Sequence, residues 1–416
     1  MGKTRQVIIG NSAAGLSAIK GIRKVDRVCP IILISAESCN AYSPVLTTYY
    51  LKGRISKEDF FIVDSDFYRS QGIKTVFGRK VIEVDPLEQK VRLDNGIDIM
   101  YDNLLIATGA SPINLGSSGN GLDNVFSLRT IESAEGIFEC AKTAKEVVLI
   151  GAGLISLQTG DALSKEGVKL TIIEQARQIL PETVDDDCAA IVQKELESCG
   201  ISILLGEKVK GIRRRGNKAI VTSHRGKELA ADMVVVGIGV RPNIELVKNS
   251  GIKIDRGIWV DDTMRTNINN IFAAGDVSQG ENLVTGRKEV LPNWINACRQ
   301  GRIAGLNMAG SQWKYEGGLR ETVTTIFGLT IVAIGLSRAL NDGQRELLCC
   351  DSVGKVYRKI VLANNKIVGC VLMGSVKDAG ILKHLISNRG DLLSWKERIV
   401  AFPLDLRQLL PSIAGC

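Results

Sequence analysis

The chain has 416 residues, room for two or three domains that each bury a core. Apolar residues make up 45% and charged residues 24%, which excludes a largely disordered or fibrous chain. The formal net charge of +8 suits an acidic partner, either an electron-carrier protein or an anionic cofactor.

The first predicted elements are strand, glycine turn, helix and strand. Val7-Ile8-Ile9 is a β-branched run that ends in Gly10-Asn11-Ser12-Ala13-Ala14-Gly15. The helix that follows carries Leu16, Ile19 and Ile22 on one apolar stripe. A turn of this kind offers bare backbone N–H groups and a helix N-terminus to a pyrophosphate. Ser12 stands where a middle glycine is usual, and is small enough to let a phosphate approach the backbone. Ile31-Ile32-Leu33-Ile34 is the second strand, and Glu37 follows it. A carboxylate there, roughly 20 residues or more past the turn, accepts the ribose hydroxyls of an adenosine half.

Short alternating strands and turns continue to Val91-Arg92-Leu93. Leu104-Leu105-Ile106 is then a buried strand that ends in the small residues Ala107, Thr108, Gly109 and Ala110. Residues 111–120 are rich in Ser, Gly and Asn and read as a crossing between domains.

A second copy of the pattern begins near residue 146. Val147-Val148-Leu149-Ile150 runs into Gly151-Ala152-Gly153-Leu154-Ile155-Ser156, and Leu170-Thr171-Ile172-Ile173 ends at Glu174. Glu174 would accept both hydroxyls of an adenine ribose and repel a 2′-phosphate, although Arg177 follows close behind. A preference for NADH is therefore expected. Two such turns in this order point to a flavin held permanently and a nicotinamide cofactor that exchanges, hence to a flavin-dependent redox enzyme.

Met233-Val234-Val235-Val236 leads through Gly237 and Gly239 to Val240-Arg241-Pro242-Asn243, a second crossing. Arg213-Arg214-Arg215, flanked by Gly211 and Gly216, reads as a hairpin rim. No aromatic residues interleave with it, so nucleic-acid binding is not expected. Ile271-Phe272-Ala273-Ala274-Gly275-Asp276 follows, then a helix over about 293–308. After Gly310 come short strands and turns and an apolar helix near 381–386. Residues 326–336 are the longest apolar stretch; Gly328, Thr330 and Gly335 interrupt it. It is too short to span a bilayer and reads as strand–turn–strand, so no membrane span is expected.

The ten cysteines include no Cys-x-x-Cys and no zinc or iron–sulfur spacing, so no metal site is expected. Cys349 and Cys350 are adjacent, and a strand would point them to opposite faces. His224 falls in a polar hairpin and His384 beside a helix stripe; neither is read as a general base. Lys3 and Arg5 precede a segment that enters the first turn directly, so no signal peptide is expected and a cytoplasmic location is.

The two glycine turns, Ala107-Thr108-Gly109, Gly239-Val240-Arg241-Pro242-Asn243 and Phe272-Ala273-Ala274-Gly275-Asp276 together resemble the pyridine nucleotide–disulfide oxidoreductase family over residues 5–310. Residues 357–362 and 369–374 resemble its small C-terminal interface domain. The resemblance implies an α/β fold: two Rossmann-like dinucleotide-binding domains, for FAD and NADH, plus a small α+β C-terminal domain. The FAD domain would be split between 1–112 and 243–312, the NADH domain would fill 113–242, and the third would cover 313–416. FAD would lie on Gly10, Ser12, Ala13, Ala14, Gly15, Glu37, Ala107, Thr108, Gly109, Gly275, Asp276 and Trp294. Asp276 would hold a ribityl hydroxyl. The helix that begins at Trp294 would point its N-terminal dipole at the flavin edge that becomes negative on reduction. NADH would lie on Gly151, Gly153, Leu154, Ile155, Glu174 and Gly239.

The departures narrow the activity. The disulfide and peroxidase branches carry redox cysteines in the stretch that corresponds to 41–51, and here that stretch, Ala41-Tyr42-Ser43-Pro44-Val45-Leu46-Thr47-Thr48-Tyr49-Tyr50-Leu51, has none. Cys39 lies upstream. Rubredoxin- and ferredoxin-type reductases often place a Lys near flavin N5; Tyr49 or Thr48 stands there instead, and Gln158 replaces the usual Glu. Tyr49 and Gln158 are thus the candidate catalytic residues, expected as a neutral hydrogen-bonded pair. The texture is similar to NADH-linked flavoprotein subunits of aldehyde or 2-oxo-acid dehydrogenases. That implies an iron–sulfur partner protein or subunit in a hetero-oligomer, or a homodimer. A stand-alone rubredoxin or ferredoxin reductase, a thiol-dependent NADH oxidase or coenzyme A disulfide reductase, and a non-enzymatic flavin redox sensor remain open.

Overall fold

The computed structural model describes residues 4–116, 119, 121–351 and 355–389. The chain divides into two compact units. The first takes the chain to Leu115, together with Phe126–Thr143 and Ile238–Gly318. The second takes the stretch ending at Val125, Ala144–Gly237 and the chain from Leu319.

A five-stranded parallel sheet forms the heart of the first unit. Its order is Ile271–Ala273, Asn103–Ile106, Gln6–Ile9, Ile31–Ser35 and Ile73–Phe77. Strands buried on both faces need apolar residues at nearly every position. Val7, Ile8, Ile31, Leu33, Leu104, Leu105 and Ile106 are accordingly all shut off from solvent. The strand Ile271–Ala273 completes the sheet from far along the chain.

Two helices pack on this sheet, Ala13–Val25 and Trp294–Met308, the latter within a residue of the expected bounds. Asn293 caps it by accepting the Asn296 N–H at 2.8 Å. The two helices meet at backbone distance. A Cβ on Gly301 would fall 2.1 Å from the Ala14 carbonyl oxygen, and one on Gly305 2.1 Å from that of Ala18. Only glycine admits so close an approach.

In the second unit a parallel sheet runs Ser202–Leu204, Lys169–Ile173, Glu146–Ile150, Met233–Val236. Leu149, Ile172 and Val234 are fully buried in it. The same unit holds a five-stranded antiparallel sheet ordered Glu321–Ile326, Leu329–Gly335, Lys366–Met373, Val356–Ala363, Gln344–Asp351. Helix Ala379–Ser387 packs on it. The interrupted stretch at 326–336 is a hairpin, with Phe327 at φ +46° and Gly328 at +78° in the turn.

Val209–Arg215 pairs with Lys218–Ser223, which places the arginine run at a hairpin. Arg213 and Arg215 reach Glu228, and Arg214 reaches Asp123, so acids of the same unit balance these charges. Cys349 and Cys350 lie exposed on an outer strand, and the described cysteines are free thiols. Cys416 lies outside the described residues, as does the final part of the expected 313–416 domain. No helix among the described residues is long and apolar enough to cross a membrane.

Candidate functional site

The first glycine turn sits where strand Gln6–Ile9 meets helix Ala13–Val25. Gly10 has φ +120°, and a Cβ there would lie 2.1 Å from the Ala107 carbonyl oxygen. The two strand ends therefore converge on one floor. Above it opens a cavity of about 650 Å³, a volume suited to a dinucleotide portion. Gly10, Ser12, Glu37, Ala107, Thr108 and Gly109 line it, all expected from sequence. Ser12 is the N-cap, yet its hydroxyl makes no capping bond. Helices at Thr130, Asp185 and Asn293 do have side-chain caps. The helix start at Ser12 is left for an acceptor from elsewhere, which is what a phosphate requires.

Further residues shape the same cavity. Tyr42 donates its hydroxyl to Glu37 Oε2 at 2.7 Å. Burial first, then that carboxylate, hold the Tyr42 phenol protonated far above its ordinary range. Asn11 is fixed by donating to the Cys39 carbonyl at 3.3 Å and accepting the Tyr68 hydroxyl at 3.0 Å. Arg79, Lys80 and Arg129 bring positive charge to the wall. Arg129 also pairs with Asp276, Nη2 to Oδ2 at 3.0 Å. Glycine turn, Glu37 carboxylate and cationic wall together fit the adenosine and pyrophosphate of FAD.

The crossing strands Ala110–Pro112 and Val240–Pro242 pair antiparallel, and Asn243 knots them. Its amide donates to the Thr108 carbonyl at 2.8 Å; its own carbonyl accepts the Thr108 hydroxyl at 2.9 Å. Gly275 packs on Ala14 and Ala297, and its N–H donates to Gln300 Oε1 at 2.8 Å. Gln300 thereby fixes the turn that presents Asp276. Trp294 is half-buried against the unit's core. Ala13, Ala14 and Gly15 are buried in the first turn of the helix rather than on the cavity wall. Sequence reading did not assign Arg129, Arg79, Lys80 or Tyr68. Arg129 sits outside every glycine motif, and only its position beside Asp276 in space reveals it.

The second turn, in the second unit, repeats the geometry. Gly153 caps helix Leu154–Leu163 with no side-chain bond. Glu174 Oε2 accepts the Ala152 N–H at 2.6 Å and Oε1 accepts the Ala176 N–H at 2.7 Å. The carboxylate is thus fixed against the turn between Gly151 and Gly153, and each oxygen keeps a lone pair for a ribose. Leu154 is half-buried and Ile155 is exposed at the helix start. Gly239 belongs to the first unit, has φ +107°, and accepts the Ile113 N–H at 3.0 Å.

Tyr49 and Gln158, expected as a neutral pair, lie in the first and second units respectively. Gln158 Nε2 donates to Thr324 Oγ1 of the antiparallel sheet at 2.8 Å. Tyr49 is largely exposed on the short helix Thr47–Leu51, while Thr48 is buried. Within its own unit Gln158 has a partner that spacing could not show, because Thr324 lies in the third predicted domain. Cys39 is half-buried; burial, then Glu37, push its thiol pKa up. Among the described residues no group of three or more His, Cys, Asp or Glu could hold a metal ion.

Comparison with known proteins agrees with this geometry. Residues 4–301 match the pyridine nucleotide-disulphide oxidoreductase family. The chain belongs to that family. Residues 322–390 of this family member match the rubredoxin NAD+ reductase C-terminal domain. It is 37% identical to an NADH oxidase of Methanocaldococcus jannaschii over 397 residues, 90% of this chain and 88% of that one. It is 29% identical to subunit epsilon of the NADH-dependent phenylglyoxylate dehydrogenase of Aromatoleum evansii, across 96% of both. A putidaredoxin reductase solved in covalent complex with putidaredoxin shares the fold, with a TM-score of 0.91 at 23% identity over 100% of each chain. This member of the pyridine nucleotide-disulphide oxidoreductases is an NAD(P)H-dependent flavin oxidoreductase with FAD and NAD(H) as cofactors.

Proposed function

We propose that the protein is the NADH-accepting flavoprotein of an electron-transfer system and delivers electrons singly to an iron–sulfur partner. That partner would be a subunit of an aldehyde or 2-oxo-acid oxidoreductase in the cytoplasm. The observation that carries the reading is the stretch 41–51, where other branches keep their redox thiol. Here it gives Tyr42 and Pro44 to the cavity wall and contains no cysteine. Without a thiol relay on that stretch, the reduced flavin passes its electrons to an external acceptor, for which a separate redox protein is proposed. The end-to-end similarity to the phenylglyoxylate dehydrogenase subunit supports this choice among acceptors.

Bound FAD supplies a centre that takes a hydride from NADH and gives up electrons one at a time. The chain supplies alignment. Glu37, held by Tyr42, fixes the adenosine end of the flavin nucleotide; Arg129 and the open helix start at Ser12 balance its pyrophosphate. Glu174 selects a nicotinamide nucleotide with a free 2′-hydroxyl. Tyr49 and Gln158 are neutral, so neither replaces the charge that the family's usual Lys and Glu carry.

The test is an anaerobic titration of the purified protein with NADH, followed by addition of an oxidised iron–sulfur carrier. Bleaching of the flavin band and its return on adding the carrier are expected. Copurification of the native protein with an iron–sulfur subunit would support a fixed complex. Isolation as a lone enzyme fully active on small disulfides would refute the proposal. Cys39→Ser with unchanged activity would remove the thiol-dependent reading, and rapid reduction by NADH would remove the sensor reading.

A further inference from the structure

The antiparallel sheet of the second unit, with the loop that follows Leu329–Gly335, grips one acidic segment of the same unit, residues 181–186. Arg338 Nη2 donates to the carbonyls of Pro181 at 3.3 Å and Val184 at 3.1 Å, and its Nη1 reaches Asp186 at 3.2 Å. Tyr357 donates its hydroxyl to Asp185 at 2.6 Å. Lys359, almost fully buried, reaches Asp185 at 3.1 Å and Glu346 at 3.0 Å. Lys355 meets Glu195 at 2.6 Å on helix Asp186–Ser198, which the segment leads into.

This segment is tied in turn to the second glycine turn. The N–H groups of Thr183 and Val184 donate to the Leu180 carbonyl at 2.9 and 3.1 Å. Leu180 donates its own N–H to the Ala152 carbonyl at 2.9 Å. Ala152 returns its N–H to Glu174. Leu180 is buried at φ +49°, a left-handed conformation that a leucine keeps only when its surroundings fix it. The sheet holds the residues that follow it, Pro181, Val184, Asp185 and Asp186. From the other side, Thr324 holds Gln158 on the helix that leaves the turn.

We infer that Arg338, with Tyr357 and Lys359, is a positioning device for nicotinamide nucleotide binding: the antiparallel sheet sets the segment 180–187, and through Leu180 and Ala152 sets the turn and Glu174. The inference rests on the reading of the second turn as the NADH site. The sheet thus contributes to nucleotide affinity without touching the nucleotide.

Arg338 is partly exposed, so its replacement leaves the core intact. In Arg338→Gln holoprotein, calorimetric titration with NAD+ and stopped-flow bleaching by NADH are expected to show a Kd raised about tenfold. The limiting rate at saturating NADH should stay within about twofold, and the FAD content should match wild type. Arg338→Lys, which keeps charge but not the fork, should restore part of the affinity. Tyr357→Phe removes one oxygen from the same grip without opening a cavity, and is expected to raise Kd about threefold. A purely structural role would lower thermal stability and leave Kd unchanged. Unchanged Kd in folded Arg338→Gln and Tyr357→Phe would overturn the inference. Failure of the wild-type holoprotein to bind either nucleotide would instead overturn the reading of the second turn, and this inference with it.

Discussion

Replacing Gly10 by alanine tests the floor of the flavin cavity. The added Cβ would lie 2.1 Å from the Ala107 carbonyl oxygen and 2.7 Å from its carbon. Carbon and oxygen ordinarily stay about 3.2 Å or more apart, so the two strand ends must separate by roughly 1 Å. They are joined there by Ala107 N–H to Ile9 at 2.8 Å, and Gly10 donates to Ile34 at 2.8 Å. Overpacking of this kind costs about 1–3 kcal/mol, and a non-glycine residue at φ +120° costs about 1–3 kcal/mol more. For a chain of this size each kcal/mol lowers Tm by about 2 °C, so a fall of about 4–12 °C is expected. The flavin should be lost as well, because the same atoms form the phosphate-facing turn. The assay is thermal unfolding by circular dichroism, with the ratio of flavin to protein absorbance after gel filtration. Gly53→Ala is the control: φ is +67°, but nothing lies within 4 Å, so only the local backbone cost of about 1 kcal/mol applies. Full flavin retention and unchanged Tm in Gly10→Ala would refute the reasoning.

Three other outcomes follow from the geometry. Glu174→Ala removes the acceptor of the Ala152 N–H and should raise the KM for NADH about 10-fold to 100-fold while narrowing the gap between NADH and NADPH; in wild type, equal kcat/KM for the two nucleotides would contradict the role of Glu174. Arg129→Met removes the partner of Asp276 and one cation from the cavity wall, and should weaken FAD binding about tenfold, measured by reconstitution of apoprotein. Stability should fall above pH 9. Burial pushes the Cys370 thiol from 9.0 up to about 12, so its contribution is complete below 9 and is lost as pH rises toward 12, at about 1.4 kcal/mol per pH unit. A Tm series over pH 8–10.5 should therefore slope downward, and Cys370→Ala should make that slope shallower.

Much of the architecture was legible because it rests on local chemistry. The central strands of both parallel sheets are mostly apolar, and both turns need glycine for geometric reasons, so residues 7–15 and 147–156 announce their structure. The carboxylates Glu37 and Glu174 follow their strands at the distance that the turn imposes. What escaped depends on contacts distant in sequence. Arg129 gains meaning only beside Asp276, and Tyr68 only beside Asn11. The hydrogen bond from the Gln158 amide to Thr324 joins residues 166 positions apart and has no local signal. Leu180 looks like an ordinary apolar residue in the sequence; its left-handed backbone is imposed by partners on two sides.

The first unit closes its sheet with Ile271–Ala273 and covers it with Trp294–Met308. A growing chain that has made Ile106 must wait for roughly 200 more residues before that edge strand and that helix exist, about 10–40 s at ordinary rates of synthesis. During that interval the Asn103–Ile106 edge is open and the small-residue face at Ala14 and Ala18 is uncovered. Meanwhile the parallel strands of the second unit are already emerging complete. Nesting one nucleotide fold within another thus orders the assembly: the inner fold can form before the outer one, and cofactor loading becomes a late event. An unpaired strand edge is a ready template for aggregation, so protection of that edge matters most in this window, and flavin supply only after it.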